Sequence, residues 1–198
     1  NVGANINATD CVVYNELNHY IYEIIEWLLK TDKAEIVEAI EEGIDKYKLE
    51  KGEREPFDKL RLDYNEGERS PLNLYLLHMY SFQNMIRFNG NHKFNTPIGV
   101  AGYSEDIKQR ILNFEVKAKN LRMMNVDYTS INWSEFPSGT VFYFDPPYFI
   151  TSAAYNDGKR GMKGWSADEE VVLLNILRHI DSLGYKFMLS NVIHDKER

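Results

Sequence analysis

The chain is organised around residues 141–148, Val-Phe-Tyr-Phe-Asp-Pro-Pro-Tyr. Val141 to Phe144 is a short apolar run between a Gly139-Thr140 turn and a pair of prolines, and such a run predicts a buried strand of a parallel sheet. Asp145, Pro146, Pro147 and Tyr148 then lie at its carboxyl end, where open α/β sheets place ligands and catalytic groups. The prolines fix their φ angles and remove their N–H donors. What remains is a stiff corner of acceptors, the Asp145 carboxylate and the backbone carbonyls, notably that of Pro146. Such a corner suits an exocyclic NH2 held by both hydrogens, and Tyr148 adds a face on which a planar base can stack. As four residues alone, the segment is equally a turn that closes a strand.

At 198 residues the chain has room for one domain with an insert, or for two small ones. An apolar share of 43% permits a sizeable core. Cys11 is the sole cysteine, which excludes an intrachain disulfide framework and cysteine zinc clusters; before Val12-Val13-Tyr14 it reads as a buried strand residue rather than a nucleophile. No apolar run approaches membrane-spanning length and no signal peptide is visible, so an intracellular, cytoplasmic protein is expected, with no membrane partner. The net charge of −7 argues against a generally basic surface, but the charge is uneven. Residues 32–68 hold 13 acids against 7 bases, and residues 87–122 hold 7 bases against 3 acids. A local basic face neutralises phosphates even on an acidic chain. Both ends read as cut, the first inside a motif and the last just after a strand.

In chain order, residues 11–18 read as a strand ending in Glu16. An acid there takes ribose hydroxyls in nucleotide-binding folds, and it is also what a helix N-terminus favours. Asn18 predicts a helix to about Lys30 with Ile21, Ile24, Ile25 and Leu28 inward. Ile36, Ile40, Ile44 and Tyr47 predict a second helix. Lys48 to Arg69 reads as charged and turn-prone, its acids as a solvated face. Pro71 opens a third helix to about Ile86, apolar enough to form the core of a helical insert. Asn89-Gly90 signals a hairpin turn, with Phe88 and Phe94 flanking a polar tip of Asn91, His92 and Lys93. A two-stranded ribbon of this kind fits the major groove, where Asn and Lys read base edges; it is equally an ordinary exposed hairpin. No second ligand stands at metal spacing from His92, and no metal is expected. Ser104 predicts a helix to about Lys119, with Ile107, Ile111, Phe114 and Ala118 inward. Its outward Lys108, Arg110, Lys117 and Lys119 form either a DNA-facing edge or a soluble face. Leu121 to Tyr128 reads as a strand ending in Asp127-Tyr128. Phe149 to Gly164 reads as a mobile active-site loop that orders on DNA. Ser166-Ala-Asp-Glu169 is a capping box opening a helix to about Leu183, with Gly184 as the stop and a strand from Tyr185 to Ser190.

These segments resemble one family. Asp-Pro-Pro-Tyr is similar to the DPPY motif of the amino-group DNA methyltransferases. Asn15-Glu16-Leu17-Asn18 resembles that family's Asn-Asp-x-Asn, with Glu for Asp. Phe94-Asn95, Pro97 and Gly99 match its Phe-Asn-x-Pro-x-Gly signature, and Phe88 stands where Tyr is common. Residues 1–9 resemble the tail of its glycine-rich cofactor turn, with Gly3 as the last glycine and the leading part absent. Leu189-Ser190-Asn191 resembles its strand-end Leu-Ser-Asn. The motif order is that of the Dam-like adenine methyltransferases, including the modification enzymes of restriction systems.

The resemblance implies an α/β, Rossmann-like S-adenosylmethionine-dependent methyltransferase fold with a mostly helical target-recognition insert. Residues 1–30 and 103–198 would form the discontinuous catalytic, cofactor-binding domain, and 31–102 the insert, with its hairpin at about 87–97. It implies S-adenosyl-L-methionine held by Gly3, Glu16, Leu17, Asp127, Tyr128 and Asp145. Glu16 would take the ribose, Asp127 would accept from the adenine amine, and Tyr128 would pack on the ring. Asp145, Pro146, Pro147 and Tyr148 would act on adenine N6. Asn89, Asn91, His92, Lys93 and Asn95 would contact double-stranded DNA. A restriction endonuclease acting on the same site would be the cognate partner. Two rivals remain at this stage: methyl transfer to RNA or a protein amide, and a non-catalytic DNA-binding remnant.

Overall fold

A computed structural model of the chain describes residues 5–6, 10–67, 69–118, 120–147 and 165–191. Gly3, Tyr148 and the expected loop at 149–164 lie outside the described residues. The chain divides into two compact units, Asn1–Val126 and Asp127–Arg198.

The first unit runs β1 (Val12–Asn15), α1 (His19–Lys30), α2 (Lys33–Tyr47), α3 (Arg54–Glu66), α4 (Pro71–Tyr80), α5 (Glu105–Leu112) and β2 (Leu121–Met124). Short polar side chains start four of these helices by accepting free backbone N–H groups. Asn18 accepts from Tyr20 at 3.1 Å, Asp32 from Ala34 at 2.8 Å, Ser70 from Asn73 at 3.1 Å and Ser104 from Ile107 at 3.4 Å. Helix α4 is apolar on every side, which suits only a buried helix. Its Leu74, Leu76, Leu77, Met79 and Tyr80 form the centre of the core, and α1, α2 and α3 pack around it.

Three helix expectations in this unit are corrected. The charged stretch after Lys48 contains helix α3. Phe57, Leu60 and Tyr64 point into the core at helical spacing, while Arg54 and Arg61 pair with Asp58 on the outside. Pro56 falls in the first turn, where its missing N–H costs no helix bond. Helix α4 stops at Tyr80 rather than Ile86, because residues 97–99 capture the backbone. Phe82 N–H donates to the Pro97 carbonyl at 2.8 Å, Gly99 N–H to that of Tyr80 at 2.8 Å, and Ser81 bridges Ile98. Helix α5 stops at Leu112 rather than Lys119, because the Asn113 side chain takes the Gln109 carbonyl at 2.7 Å. Ala118 is buried all the same, outside any helix.

Strands β1 and β2 pair in parallel from Val12↔Leu121 to Asn15↔Met124. A parallel pair needs a long crossover, and the helices between the two strands supply it. Cys11, just before β1, is half-buried. Strand β2 ends at Met124, earlier than the Tyr128 expected, and Asp127 caps a 3-10 turn at Tyr128–Ser130 instead.

The second unit holds β3 (Val141–Phe144), α6 (Ala167–Ser182) and β4 (Lys186–Leu189). The capping box Ser166/Glu169 is formed, and Gly184 takes the left-handed conformation (φ 81°) after the helix. Strands β3 and β4 are parallel, with Val141↔Lys186 through Phe144↔Leu189. Strand β3 is not buried as expected: Val141 is 59% and Tyr143 42% exposed. Only its other face is covered. Phe142 and Phe144 meet the Trp133 ring at 5.3 and 5.6 Å, so the strand alternates like a one-faced sheet. The described strands thus form two two-stranded parallel sheets, one in each unit.

His78 on α4 has a buried Nδ1 without a hydrogen-bond partner. Burial holds its imidazole below the ordinary value, partly offset by a backbone hydrogen bond with Asn84. The neutral form is therefore native, while the unfolded chain protonates below about pH 6.5. The stability tied to His78 is present above that pH and is lost as pH falls through the lower, native value. Thermal unfolding midpoints between pH 7.5 and 5 should fall below about pH 6.5. The fall should be shallower in His78→Gln; identical slopes would contradict this.

Candidate active site

At the carboxyl end of β1 and β2, side-chain amides continue the ladder where the backbone leaves it. The last rung is Glu16 N–H to the Met124 carbonyl at 3.0 Å. Beyond it, Asn15 Nδ2 donates to the Val126 carbonyl at 3.0 Å, and Val126 N–H returns to Asn15 Oδ1 at 3.1 Å. Asn125 Nδ2 donates to the carbonyls of Glu16 (2.6 Å) and Leu17 (3.0 Å). The half-buried Glu16 carboxylate accepts Asn18 N–H at 2.9 Å and the Tyr14 hydroxyl at 3.4 Å. Leu17 is exposed. In Asn-Glu-Leu-Asn, then, the first residue stitches two loops, the second presents an acid and the fourth caps a helix. Asn125 was not singled out by sequence reasoning; an amide directly after a strand is its only local signal.

At the carboxyl end of β3 and β4, Asp145 and Pro147 are exposed and Pro146 is half-buried. Ser190 N–H donates to the Phe144 carbonyl at 2.8 Å, which brings Ser190-Asn191 beside this corner. Asn191 Nδ2 and Trp165 Nε1 donate to the two oxygens of Glu170, at 3.2 and 2.8 Å. The Tyr128 ring lies 5.9 Å from that of Trp165, and its hydroxyl donates to the Glu169 carbonyl at 3.3 Å. Asp127 Oδ1 accepts the N–H and hydroxyl of Thr129, at 2.9 and 2.6 Å. Glu170 is a further residue that sequence reasoning passed over, since its partners lie far along the chain or outside its helix.

The hairpin has a three-residue loop, Gly90 to His92, with His92 left-handed (φ 56°). Asn89 N–H donates to the Lys93 carbonyl and His92 N–H to that of Asn89, both at 2.9 Å. Instead of a regular ribbon, one bridge joins Phe88 and Phe94, and side chains hold the rest. Asn89 Oδ1 accepts Asn91 N–H (2.9 Å) and Lys93 N–H (3.1 Å). Arg87 donates to the Asn95 side chain and carbonyl, at 2.9 and 3.1 Å. Lys93 is ion-paired with Glu66. Asn91 and His92 stand exposed at the tip. From α3, Asn65 clamps the backbone of Phe94 on both sides, accepting its N–H at 2.7 Å and donating to its carbonyl at 3.0 Å. Beneath, Phe88 stacks on Tyr20 with ring centres 4.1 Å apart. On helix α5, Lys108 pairs with Glu41 and Arg110 with Asp106.

Asn65→Ala removes both bonds to the buried Phe94 backbone, at a cost of about 1–3 kcal/mol. The expected result is a roughly tenfold weaker affinity for duplex DNA, measured by fluorescence anisotropy, with methyl-donor affinity unchanged. Equal DNA affinity would show that the hairpin does not depend on the clamp.

A sequence profile described as the D12 class N6 adenine-specific DNA methyltransferases matches residues 2–197. The chain belongs to this family. It is 47% identical over 196 residues to the modification methylase LlaI of Lactococcus lactis subsp. lactis, covering 99% of this chain and 32% of that protein. It is 37% identical over 200 residues to the type II methyltransferase M.FokI of Planomicrobium okeanokoites, covering 99% and 31%. It is 35% identical over 200 residues to the modification methylase StsI of Streptococcus sanguinis, covering 99% and 30%. The chain spans about a third of the length of these curated relatives. In this D12-class chain, the Asp145 corner, the Glu16 strand end and the Phe94-Asn95 hairpin all fall within the matched span. Among the described residues no helix is long and apolar enough to cross a membrane.

Proposed function

We propose that this D12-class chain catalyses methyl transfer from S-adenosylmethionine to adenine N6 at a specific site in double-stranded DNA, as the modification activity of a restriction system. The observation that carries the reading is the exposed, donor-poor Asp145-Pro146-Pro147 corner at the carboxyl end of a parallel strand, in a chain matched to the family over nearly its whole length. The fold we propose for the catalytic part is Rossmann-like, made of residues 1–30 and 103–198, with 31–102 as the recognition insert. The parallel pairing of β1 with β2 across the intervening helices supports that division.

The residues present suit the methyl donor. Glu16 is a half-buried carboxylate at a strand end, with one oxygen held by a backbone N–H, an arrangement fit for a ribose diol. Leu17 lies exposed next to it. Asp127 supplies an acceptor and Tyr128 a ring fit for an adenine. S-adenosylmethionine supplies an activated methyl group on a sulfonium.

The chain's own residues do the rest. Drawing an adenine out of the duplex costs a few kcal/mol and exposes its amine. Asp145 and the Pro146 carbonyl accept the two N6 hydrogens, which turns the nitrogen lone pair outward. The carboxylate also stabilises the positive charge that grows on N6 as the N–CH3 bond forms and the sulfonium's S–CH3 bond breaks, and it is the group placed to take the proton that N6 then sheds. Because the corner is stiff, little ordering is needed at that moment. Tyr148 offers the stacking face. The hairpin presents Asn91, His92 and Lys93 to the major groove, with Asn89 and Asn95 holding its shape. A cognate endonuclease sharing the site is the expected partner, as the relatives named modification methylases suggest.

The test is competition. The full-length protein is given methyl-labelled S-adenosylmethionine with duplex DNA, RNA and asparagine-containing peptide together. Label is expected in the DNA alone. Label in RNA or peptide would favour the other acceptors, and no binding of S-adenosylmethionine by calorimetry would favour a non-catalytic DNA-binding protein.

A further inference from the structure

Past the last backbone rung between β1 and β2, the carbonyls of Glu16 and Leu17 have no strand to pair with, yet Asn125 Nδ2 takes both, at 2.6 and 3.0 Å. Asn15 and Val126 meanwhile exchange two hydrogen bonds, at 3.0 and 3.1 Å. Together they extend the parallel pairing with side chains, over the stretch that presents the Glu16 carboxylate. All four bonds are exposed to solvent. Exposed bonds of this kind add little to global stability, each about 1 kcal/mol or less, so stability alone does not account for four of them at one strand end. Orientation does. Glu carries one more rotatable bond than Asp, and its carboxylate wanders further unless its backbone is fixed. Asn18 N–H holds one carboxylate oxygen from the helix side; Asn125 holds the peptide that carries the residue.

We infer that Asn125, assisted by Asn15, is a positioning residue that fixes the Glu16 acid for the ribose hydroxyls of the methyl donor. This rests on the reading of Glu16 given above. Asn125 acts through Glu16 and does not itself touch the donor.

The test is calorimetric binding of S-adenosylmethionine and of its 2′-deoxyribose analogue to the full-length protein. Wild type, Asn125→Ala, Glu16→Ala and the double variant are compared, with thermal midpoints recorded for each. Wild type should prefer the ribose. Asn125→Ala should weaken S-adenosylmethionine about tenfold, weaken the deoxy analogue, which keeps only its 3′-hydroxyl for Glu16, by clearly less, and keep the thermal midpoint. The double variant should be no worse than Glu16→Ala. Equal weakening of both ligands by Asn125→Ala, or losses that add in the double variant, would overturn the inference alone. A ribose preference that survives Glu16→Ala would overturn the reading of Glu16, and the inference with it.

Discussion

Asp145→Ala is expected to slow the single-turnover rate of methyl transfer to duplex DNA by about a hundred- to a thousandfold, with DNA affinity changed far less. The asymmetry follows from what the residue faces. In the ground state the amine is neutral, and losing one acceptor costs about 1 kcal/mol. In the transition state N6 carries positive charge, and a carboxylate beside it stabilises that charge much more strongly than water would. The prolines that follow cannot compensate, since they have carbonyls and no charge. Asp145→Asn separates the two contributions: it keeps one acceptor and loses the charge, so its rate should fall between those of wild type and Asp145→Ala. Rapid-quench assays at saturating S-adenosylmethionine and DNA measure both. A rate within about threefold of wild type in Asp145→Ala would remove the residue from the chemistry.

The second large effect is structural. A methyl group on Gly99 would stand 2.5 Å from the Ser81 carbonyl oxygen, 2.8 Å from its carbon and 2.9 Å from Phe82 N. All three are backbone atoms, so no side chain can swing aside. The same contact holds the Ser81–Ile98 bridge and the bond from Gly99 N–H to the Tyr80 carbonyl. Gly99→Ala must open this junction between the end of α4 and the segment after the hairpin. A loss of about 3 kcal/mol is expected, read by chemical denaturation, with DNA binding lost alongside. Gly43→Ala is the control. Its methyl would meet Leu76 Cδ1 at 2.6 Å, the far end of a flexible side chain, and the cost should be smaller. Equal stability of Gly99→Ala and wild type would mean that the glycine is not there for space.

What the sequence disclosed depended on how local the deciding contact was. Asn18, Ser104 and Ser166 mark helix starts because a cap needs one residue and the N–H groups two or three places on. The end of α4 escapes the sequence for the opposite reason. Helix α4 ends where Pro97, Ile98 and Gly99 take its backbone, and nothing near Tyr80 announces that. Helix α3 was missed because its stripe of Phe57, Leu60 and Tyr64 is thin and surrounded by charge. In the candidate site, the placement of Glu16 and Asp145 just past strand ends and the turn of the hairpin were legible, since short apolar runs and an Asn-Gly pair are local signals. Asn65, Asn125 and Glu170 were not, because each works through partners that fold alone brings near. The hairpin shows both cases: its turn was readable from Asn89-Gly90, while the Asn65 clamp on Phe94 was not.

The central claim concerns one atom on one base, and nucleoside mass spectrometry of treated DNA reads that atom directly. Unmethylated duplex DNA is incubated with the full-length protein and S-adenosylmethionine, digested to nucleosides and compared with standards. The expected product is N6-methyldeoxyadenosine, absent when Asp145→Ala is used for the same time. N4-methyldeoxycytidine or 5-methyldeoxycytidine as the sole product, or N6-methyldeoxyadenosine formed equally fast without the Asp145 carboxylate, would contradict the account.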